Sequence, residues 1–233
     1  MLDREKGETR LRPSLFHPRY YSLKRLKNEI EIISKKFFAQ GDKKIISDLG
    51  CGSMPYKSVF IPFAKEYIGI DLPENIHATI HIDPVGKIGM ADSQVDTVLS
   101  TQVLEHVIDP AHYLSEAKRI LKDDGIIILS THGHWIYHPD PTDLWRWTSS
   151  GLKKIVEDNG FKVIYFRGIM GRSATGLQLF QDGLLFKLPR FIRPVLTVFM
   201  QQFIALADKI HSQKQRDDDA CIFILVATKK VSV

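Results

Sequence analysis

Apolar positions recur at two different periods along this chain. Across 20–39, Leu23, Leu26, Ile30, Ile33 and Phe37 fall three and four residues apart, which predicts an amphipathic helix ended by Gly41 and Asp42. Beyond it the apolar residues gather into short runs at 44–48, 67–71, 79–83, 95–100, 126–130, 161–167 and 220–227, which read as strands. Three of these runs end in an acid: Asp48, Asp71 and Asp83. Helices are expected after Pro55, over 110–121 and over 149–160. Asp109 and Pro110 suit the N-cap and first position of the second, and Ser149 or Ser150 the N-cap of the third.

Strands that are almost continuously apolar and alternate with helices predict an α/β fold. Its sheet is mostly parallel and seven-stranded, with helices on both faces. The segment 169–219 interrupts the alternation. Within it Phe191, Ile192, Val195, Leu196, Phe199, Phe203, Ile204, Leu206 and Ile210 fit one helix with a broad apolar face over 191–210. Gln201 and Gln202 argue against a transmembrane span, and Arg190, Arg193 and Lys209 flank the apolar face. A sheet cap, a dimer seam, a substrate lid and a helix lying on a membrane surface through 186–210 all stay open. Four segments result: a basic helical cap (1–43), the core (44–168), a helical insertion (169–219) and a last core strand (220–233).

The 233 residues suffice for one α/β domain, and 44% hydrophobic with 25% charged residues is ordinary for a soluble protein. Two cysteines make no disulfide framework, and the charged start Met1-Leu2-Asp3-Arg4-Glu5-Lys6 has no apolar h-region; a cytoplasmic setting, peripheral to a membrane at most, is expected. The net charge of +5 is uneven: residues 1–44 hold 12 Lys or Arg against 6 Asp or Glu, and 170–216 hold 7 against 2. These are either solvated surfaces or attractions for phosphates, as in a sugar nucleotide, a lipid-linked substrate, an anionic membrane or a nucleic acid.

The candidate chemistry begins at Ile45-Ile46-Ser47-Asp48-Leu49-Gly50-Cys51-Gly52-Ser53, a strand running into a glycine turn. Where a dinucleotide fingerprint needs its third glycine stands Pro55, so that fingerprint fails. Asp71, about 20 residues on, is placed to accept the two hydroxyls of a ribose. On these residues the chain resembles the class I S-adenosylmethionine-dependent methyltransferases, in particular the broad group whose first motif is Asp-Leu-Gly-Cys-Gly. The resemblance covers about 44–168 and the last strand. It implies a Rossmann-like methyltransferase fold with S-adenosyl-L-methionine as cofactor and S-adenosyl-L-homocysteine as product. It further implies that Gly50, Cys51, Gly52 and Ser53 wrap the methionyl part with Asp48 behind them, that Asp71 with Leu72 meets the ribose, and that Asp83 meets the adenine. Ser100, Thr101 and Gln102 are similar to the family's fourth-strand motif beside the sulfonium.

A second block, 132–148, follows the fifth strand and holds all three tryptophans. Aromatic planes beside polar groups suit a sugar ring or another flat, hydroxylated acceptor. Trp135, Asp140, Asp143, Trp145 and Arg146 are its candidate substrate residues, Arg146 for a phosphate or carboxylate, although Trp145 could equally pack under a helix and Arg146 pair with Asp140 or Asp143. An oxygen nucleophile needs a proton acceptor, and His106, His132, His134 and His138 are the candidate bases. Their spacing with the nearby acids matches no compact metal motif, so no metal is expected.

These readings converge on methyl transfer to the hydroxyl of a sugar, a glycan-linked molecule or another small acceptor. The alternatives are an RNA or protein methyltransferase, suggested by the basic N-terminal segment, and a cofactor-binding partner subunit without activity of its own. A nucleic-acid partner is disfavoured because no Asn-Pro-Pro-Tyr or Asp-Pro-Pro-Tyr tetrapeptide follows the fourth strand. The partners expected are a small-molecule or glycan acceptor and, through 186–210, a second copy or a membrane surface.

Overall fold

The apolar runs pair into a single sheet in the computed structural model, which describes residues 7–185 and 187–230. The charged start of the chain, Phe186 and the last three residues lie outside the described residues. In order the elements are α1 (Gly7–Leu11), α2 (Tyr20–Phe38), β1 (Lys44–Leu49), α3 (Lys57–Phe60), β2 (Ala64–Asp71), β3 (Ile80–His81), β4 (Val95–Thr101), α4 (Pro110–Ile120), β5 (Leu121–His132), α5 (Ser149–Asp158), β6 (Phe161–Gly171), α6 (Arg172–Leu185), α7 (Arg193–Asp208), α8 (Gln213–Asp218) and β7 (Ala220–Lys229). The strand order is β3-β2-β1-β4-β5-β7-β6, and β7 alone runs antiparallel, between β5 and β6.

Successive residues of the strands enter two different cores, as a period of two requires. On one face Leu49, Ile127, Leu129, Phe223 and Leu225 pack with Leu114 and Ile120 of α4 and Leu152 and Val156 of α5. On the other, Ile46, Ile128, Ile222, Ile224 and Val226 pack with Leu26, Ile30 and Ile33 of α2, Ala174 of α6 and Ile204 of α7. The N-terminal helix α2 is therefore one of the layers of the domain. Asp109 caps α4 by accepting the Ala111 and His112 amides, both at 3.0 Å. The cap of α5 is Thr148, which accepts the Gly151 amide, in place of the two serines that follow it.

Two segments depart from the sequence pattern. The third strand is two residues long, because Asp83 turns the chain instead of extending it: its Oδ1 accepts the Val85 and Lys87 amides at 3.0 and 2.8 Å. The single helix expected over 191–210 is one of three, since β6 continues to Gly171 and α6 and α8 flank α7. Polar side chains hold this insertion. Asp208, fully buried, accepts the Tyr21 hydroxyl and the Gly171 amide at 2.8 Å each and Arg216 Nε at 3.0 Å.

Burial alone would raise the Asp208 carboxyl, but these donors together hold it below its usual 3.8. An acid with a depressed folded pKa stabilises the fold above its unfolded value, and that contribution is lost as pH falls into the acid range. Asp208→Ala leaves Arg216 and the Gly171 amide without their partner. We expect it to lower unfolding stability by about 3–5 kcal/mol, read from urea denaturation near neutral pH. The difference from wild type should shrink in acid.

Candidate active site

The strand order reverses beside β1, whose neighbours are β2 and β4, and in open α/β sheets ligands bind at such a reversal, outside the strand ends. Gly50 and Gly52 stand there with φ of +72° and +51°, a region open to glycine. A Cβ on Gly50 would lie 2.6 Å from Val103 Cγ2, whereas one on Gly52 would meet nothing within 4 Å. The turn is bonded to β2 next door. Gly50 and Cys51 donate their amides to Ile70 O at 2.8 and 3.1 Å, and Gly52 donates to Asp71 Oδ2 at 2.8 Å. These three amides are committed within the protein, so they do not form the open phosphate cradle of a dinucleotide loop.

Asp71 is itself held in place. Besides Gly52, its Oδ2 accepts Asn75 Nδ2 at 2.7 Å, and its Oδ1 accepts the Leu72 amide at 2.8 Å. Asn75 Nδ2 also donates to Gly52 O at 2.8 Å, so this side chain ties the acid to the turn. Asp48, next to last in β1, is almost fully buried and accepts the Tyr67 hydroxyl at 2.7 Å. Burial pushes its carboxyl up to about 7, against the Tyr67 bond, which lowers it. Burial likewise pushes the Cys51 thiol up to about 12.

A cavity of about 880 Å³ opens on this turn. Gly50, Cys51, Gly52, Ser53, Asp71, Leu72, Asp83, Thr101 and Gln102 line it. Asp48 and Ser100 do not: the first lies behind the turn, and the second bonds Tyr113 Oη at 2.8 Å within the core. Asp83 reaches the wall through the turn that shortened β3, beside Ile82, Val85 and Ile88. Gln102 has φ +57° and spends its Nε2 on Ser130 Oγ, while its buried Oε1 accepts no hydrogen bond among the described residues.

The rest of the wall carries His106, His132, His138, Trp135 and Asp140. His138 stands edge-on to His106 and to His132, each with ring centres 5.0 Å apart, and His132 stacks on Trp135 at 4.7 Å. Burial, reinforced by neighbouring positive groups, lowers His132 well below its usual 6.5; burial also lowers His138. Both rings are thereby held neutral near pH 7 and can accept a proton. His138 Nδ1 lies 3.0 Å from Ile136 O and His106 Nδ1 2.5 Å from Thr142 O, carbonyl contacts that favour an Nδ1–H and Nε2 as the acceptor; the Arg146 Nη2 donor stands further from His138 Nδ1, at 3.5 Å. Behind them Glu105 is fully buried, its carboxyl raised by that burial, with Oε1 3.4 Å from His132 Nε2. Donor atoms of Glu105, His132 and His138 fall within 4.8 Å of one another, a set that the sequence spacing does not reveal.

Other members of the block serve elsewhere. His134 bonds Asp219 at 2.5 Å, away from the cavity. Arg146 grips Asp143 with both nitrogens, at 2.6 and 2.7 Å, and donates to the Trp135, Ile136 and Trp145 carbonyls. Its guanidinium thus staples the loop and is not presented to a ligand. Asp143 also accepts the His138 amide, and Trp145 donates to Val107 O; Asp143, Trp145 and Arg146 do not line the cavity. Sequence reasoning passed over Arg10 and Arg19, which do line it, Arg19 lying 4.8 Å above Trp135. The one hint of them was the basic surplus of the N-terminal segment. It also passed over His112, in the wall beside Gly86.

A family model described as a methyltransferase domain matches residues 17–165, and the chain belongs to this family of class I S-adenosylmethionine-dependent methyltransferases. A Mycolicibacterium smegmatis protein described as a probable S-adenosylmethionine-dependent methyltransferase is 24% identical over 148 residues, which is 57% of this chain and 58% of that one. A ubiquinone biosynthesis O-methyltransferase of Cereibacter sphaeroides is 33% identical over 97 residues, 36% of this chain and 39% of the relative. The chain therefore spans only part of the length of these curated relatives. Among solved structures, the Burkholderia thailandensis 1,6-didemethyltoxoflavin-N1-methyltransferase, which holds S-adenosylhomocysteine, shares the fold. Its TM-score is 0.55 at 13% identity, over 87% of this chain and 77% of that one.

The residues present fit S-adenosylmethionine. The space over Gly52 and the unused Gln102 Oε1 offer room and an acceptor for an ammonium-bearing tail. Asp71 supplies a fixed carboxylate, and Ile82, Val85 and Ile88 an apolar wall for a flat base. Asp71→Ala should weaken binding of the cofactor by about 1.5–3 kcal/mol, roughly tenfold to hundredfold, in titration calorimetry. Asn75→Ala should weaken it less, since it loosens the acid without removing it. Wild-type affinity in Asp71→Ala would refute the assignment.

Proposed function

We propose that this chain transfers a methyl group from S-adenosylmethionine to a hydroxyl of a sugar, a glycan-linked molecule or another small acceptor. The observation that carries this reading is the trio of cavity-lining histidines, two of them driven neutral by burial, on the cavity that the glycine turn opens into. When bound, the cofactor supplies an electrophilic methyl on a sulfonium. The protein's part is to align an acceptor oxygen with it and to take up the proton that oxygen loses. His138 is the preferred base, because its Nδ1 is engaged by Ile136 O and its Nε2 is the acceptor atom. Trp135, in contact with the His132 ring and the Arg19 guanidinium, offers an aromatic wall of the kind that sugar and phenol rings use. Two guanidinium groups in the lining, Arg10 and Arg19, suit an acceptor that carries phosphate. The likeness to an O-methyltransferase of ubiquinone biosynthesis supports oxygen as the acceptor atom.

A screen with methyl-labelled cofactor against nucleotide sugars, glycolipids, catechols and RNA tests the reading. Label in the first three classes supports it. Label in RNA alone, with binding that falls steeply with salt, replaces it. On the acceptor found, His138→Ala should lower kcat roughly 10²- to 10⁴-fold with cofactor affinity unchanged. Activity should hold as pH falls through 6.5 and fail only further into acid, since both buried rings are lowered from that value. A profile that breaks above 6.5 would exclude His132 and His138 as the base. Loss of activity on chelation, restored by a divalent cation, would instead give Glu105, His132 and His138 a ligand role.

A further inference from the structure

The hairpin of α6 and α7 is built inside out. A surface helix ordinarily turns its apolar stripe to the core and its polar stripe to water. On α7 and the residues flanking it, the stripe Ile192, Val195, Phe199, Phe203, Leu206 and Ile210 points outward, with Phe199 at 61%, Phe203 at 58% and Ile210 at 69% exposure. The stripe facing the protein is Thr197, Gln201, Ile204 and Asp208, three of them polar, and all are buried. The neighbouring α6 shares the inversion in part: Thr175, Gln178 and Gln181 are buried together with Ala174 and Leu185, while Phe180 is 61% exposed. Phe191, in the connection between them, is 81% exposed. Single exposed apolar residues need no explanation, but a contiguous face whose polar complement has been buried does.

The charge around this face is one-sided. Lys187, Arg190 and Lys209 are exposed at the ends of α7. The two acids of the hairpin are drawn inward: Asp208 is buried, and Asp182 is partly buried and accepts Gln178 Nε2. No described helix is long and apolar enough to cross a membrane, and the buried glutamine stripe of α7 rules that role out independently.

We propose that the outer face of α6 and α7 docks on an anionic lipid bilayer, with the helices lying in the interface, the phenylalanines below the headgroups and the basic residues among them. An apolar stripe with cationic flanks and polar anchoring behind it meets the requirements of an interfacial helix. A second copy of this chain is the weaker occupant, because a two-fold contact would bring the same basic flanks against each other. The proposal does not depend on the identity of the acceptor, and its test does not involve turnover.

The test is co-sedimentation of the full chain with vesicles of phosphatidylcholine alone and of phosphatidylcholine mixed with phosphatidylglycerol. We expect binding to the mixed vesicles that falls with added salt and is weak on phosphatidylcholine. The double substitution Phe199→Ser with Phe203→Ser should lower partitioning at least about tenfold, and Lys187→Glu with Arg190→Glu should remove the preference for anionic lipid. Both pairs are exposed, so cofactor binding and the melting temperature should stay near wild type, which separates loss of docking from loss of fold. Absence of vesicle binding, binding indifferent to lipid charge, or binding unchanged by the phenylalanine pair would each overturn the proposal. So would a dimer in solution that the phenylalanine pair dissolves while the wild type ignores vesicles.

Discussion

The carboxylate at the end of β2 sets the shape of the turn on which the cavity is built. Two glycines at positive φ can reverse the chain in several ways, and the amide bonds choose among them. Gly50 and Cys51 are fastened to Ile70 O, and the next amide, Gly52, to Asp71. Asn75 closes the arrangement by donating to both the acid and the turn. The donors to Asp71 are neutral, so they orient its charge without cancelling it. Asp48 sits behind the same turn, raised by burial and, to a smaller extent, by Asp71. Burial favours the neutral form of Asp48, so the carboxylate that faces the cavity at the end of β1 and β2 is Asp71. Its charge makes this a poor place for a pyrophosphate and a favourable one for a ligand with an ammonium and a sulfonium. Charge, as well as the missing third glycine, thus distinguishes the two kinds of nucleotide cofactor at this turn.

The histidine wall follows an opposite rule, that of uncharged polarity. His132 lies against Trp135 and beside the buried Glu105, and burial disfavours charge on both the ring and the acid. Two of the charges that the loop contains, Asp143 and Arg146, are set apart from the cavity, whereas Asp140 lines it. Asp143, held below its usual value against burial by Arg146 and the His138 amide, and Arg146, which is stapled to carbonyls, form a pair that fixes the His138 backbone. Even from outside the cavity the Arg146 charge opposes protonation of His132 and His138, which adds to burial in keeping both rings neutral.

Much of the fold could be read from the chain because two periods dominate it. The three- and four-residue spacing of Leu23, Leu26, Ile30 and Ile33 marks α2, and the unbroken apolar run from Ala220 marks β7. The glycine turn and Asp71 were legible because close backbone approach and a strand-end acid leave local traces. The rest is tertiary. Nothing local says that Asn75 reaches back to Gly52, or that Arg19 closes over Trp135 across more than a hundred residues. Nor does the sequence separate Arg146 from a ligand-binding arginine, since its partner three residues away is decided by the fold of the loop. The helix α6 was missed for a different reason: its buried residues include Thr175, Gln178 and Gln181, which a search for apolar periodicity passes over.

Those glutamines explain why an inverted hairpin can be stable. Helix α2 begins without a cap of its own, since Arg19 provides no side-chain acceptor. Gln201 of α7 supplies one, taking the Tyr21 amide on its Oε1 at 2.8 Å. Its Nε2 donates to Pro18 O at 2.7 Å, where Gln178 and Gln181 also converge at 3.0 and 2.6 Å. Three amides on one carbonyl are an unusual concentration, and a buried amide without partners would cost about 1–3 kcal/mol. Here each buried amide is satisfied by another or by Pro18, so the polar stripe can face the protein while the apolar stripe faces outward. The residue after that carbonyl is Arg19, in the cavity wall. The hairpin is thus bonded to the backbone that carries one of the cavity's two arginines.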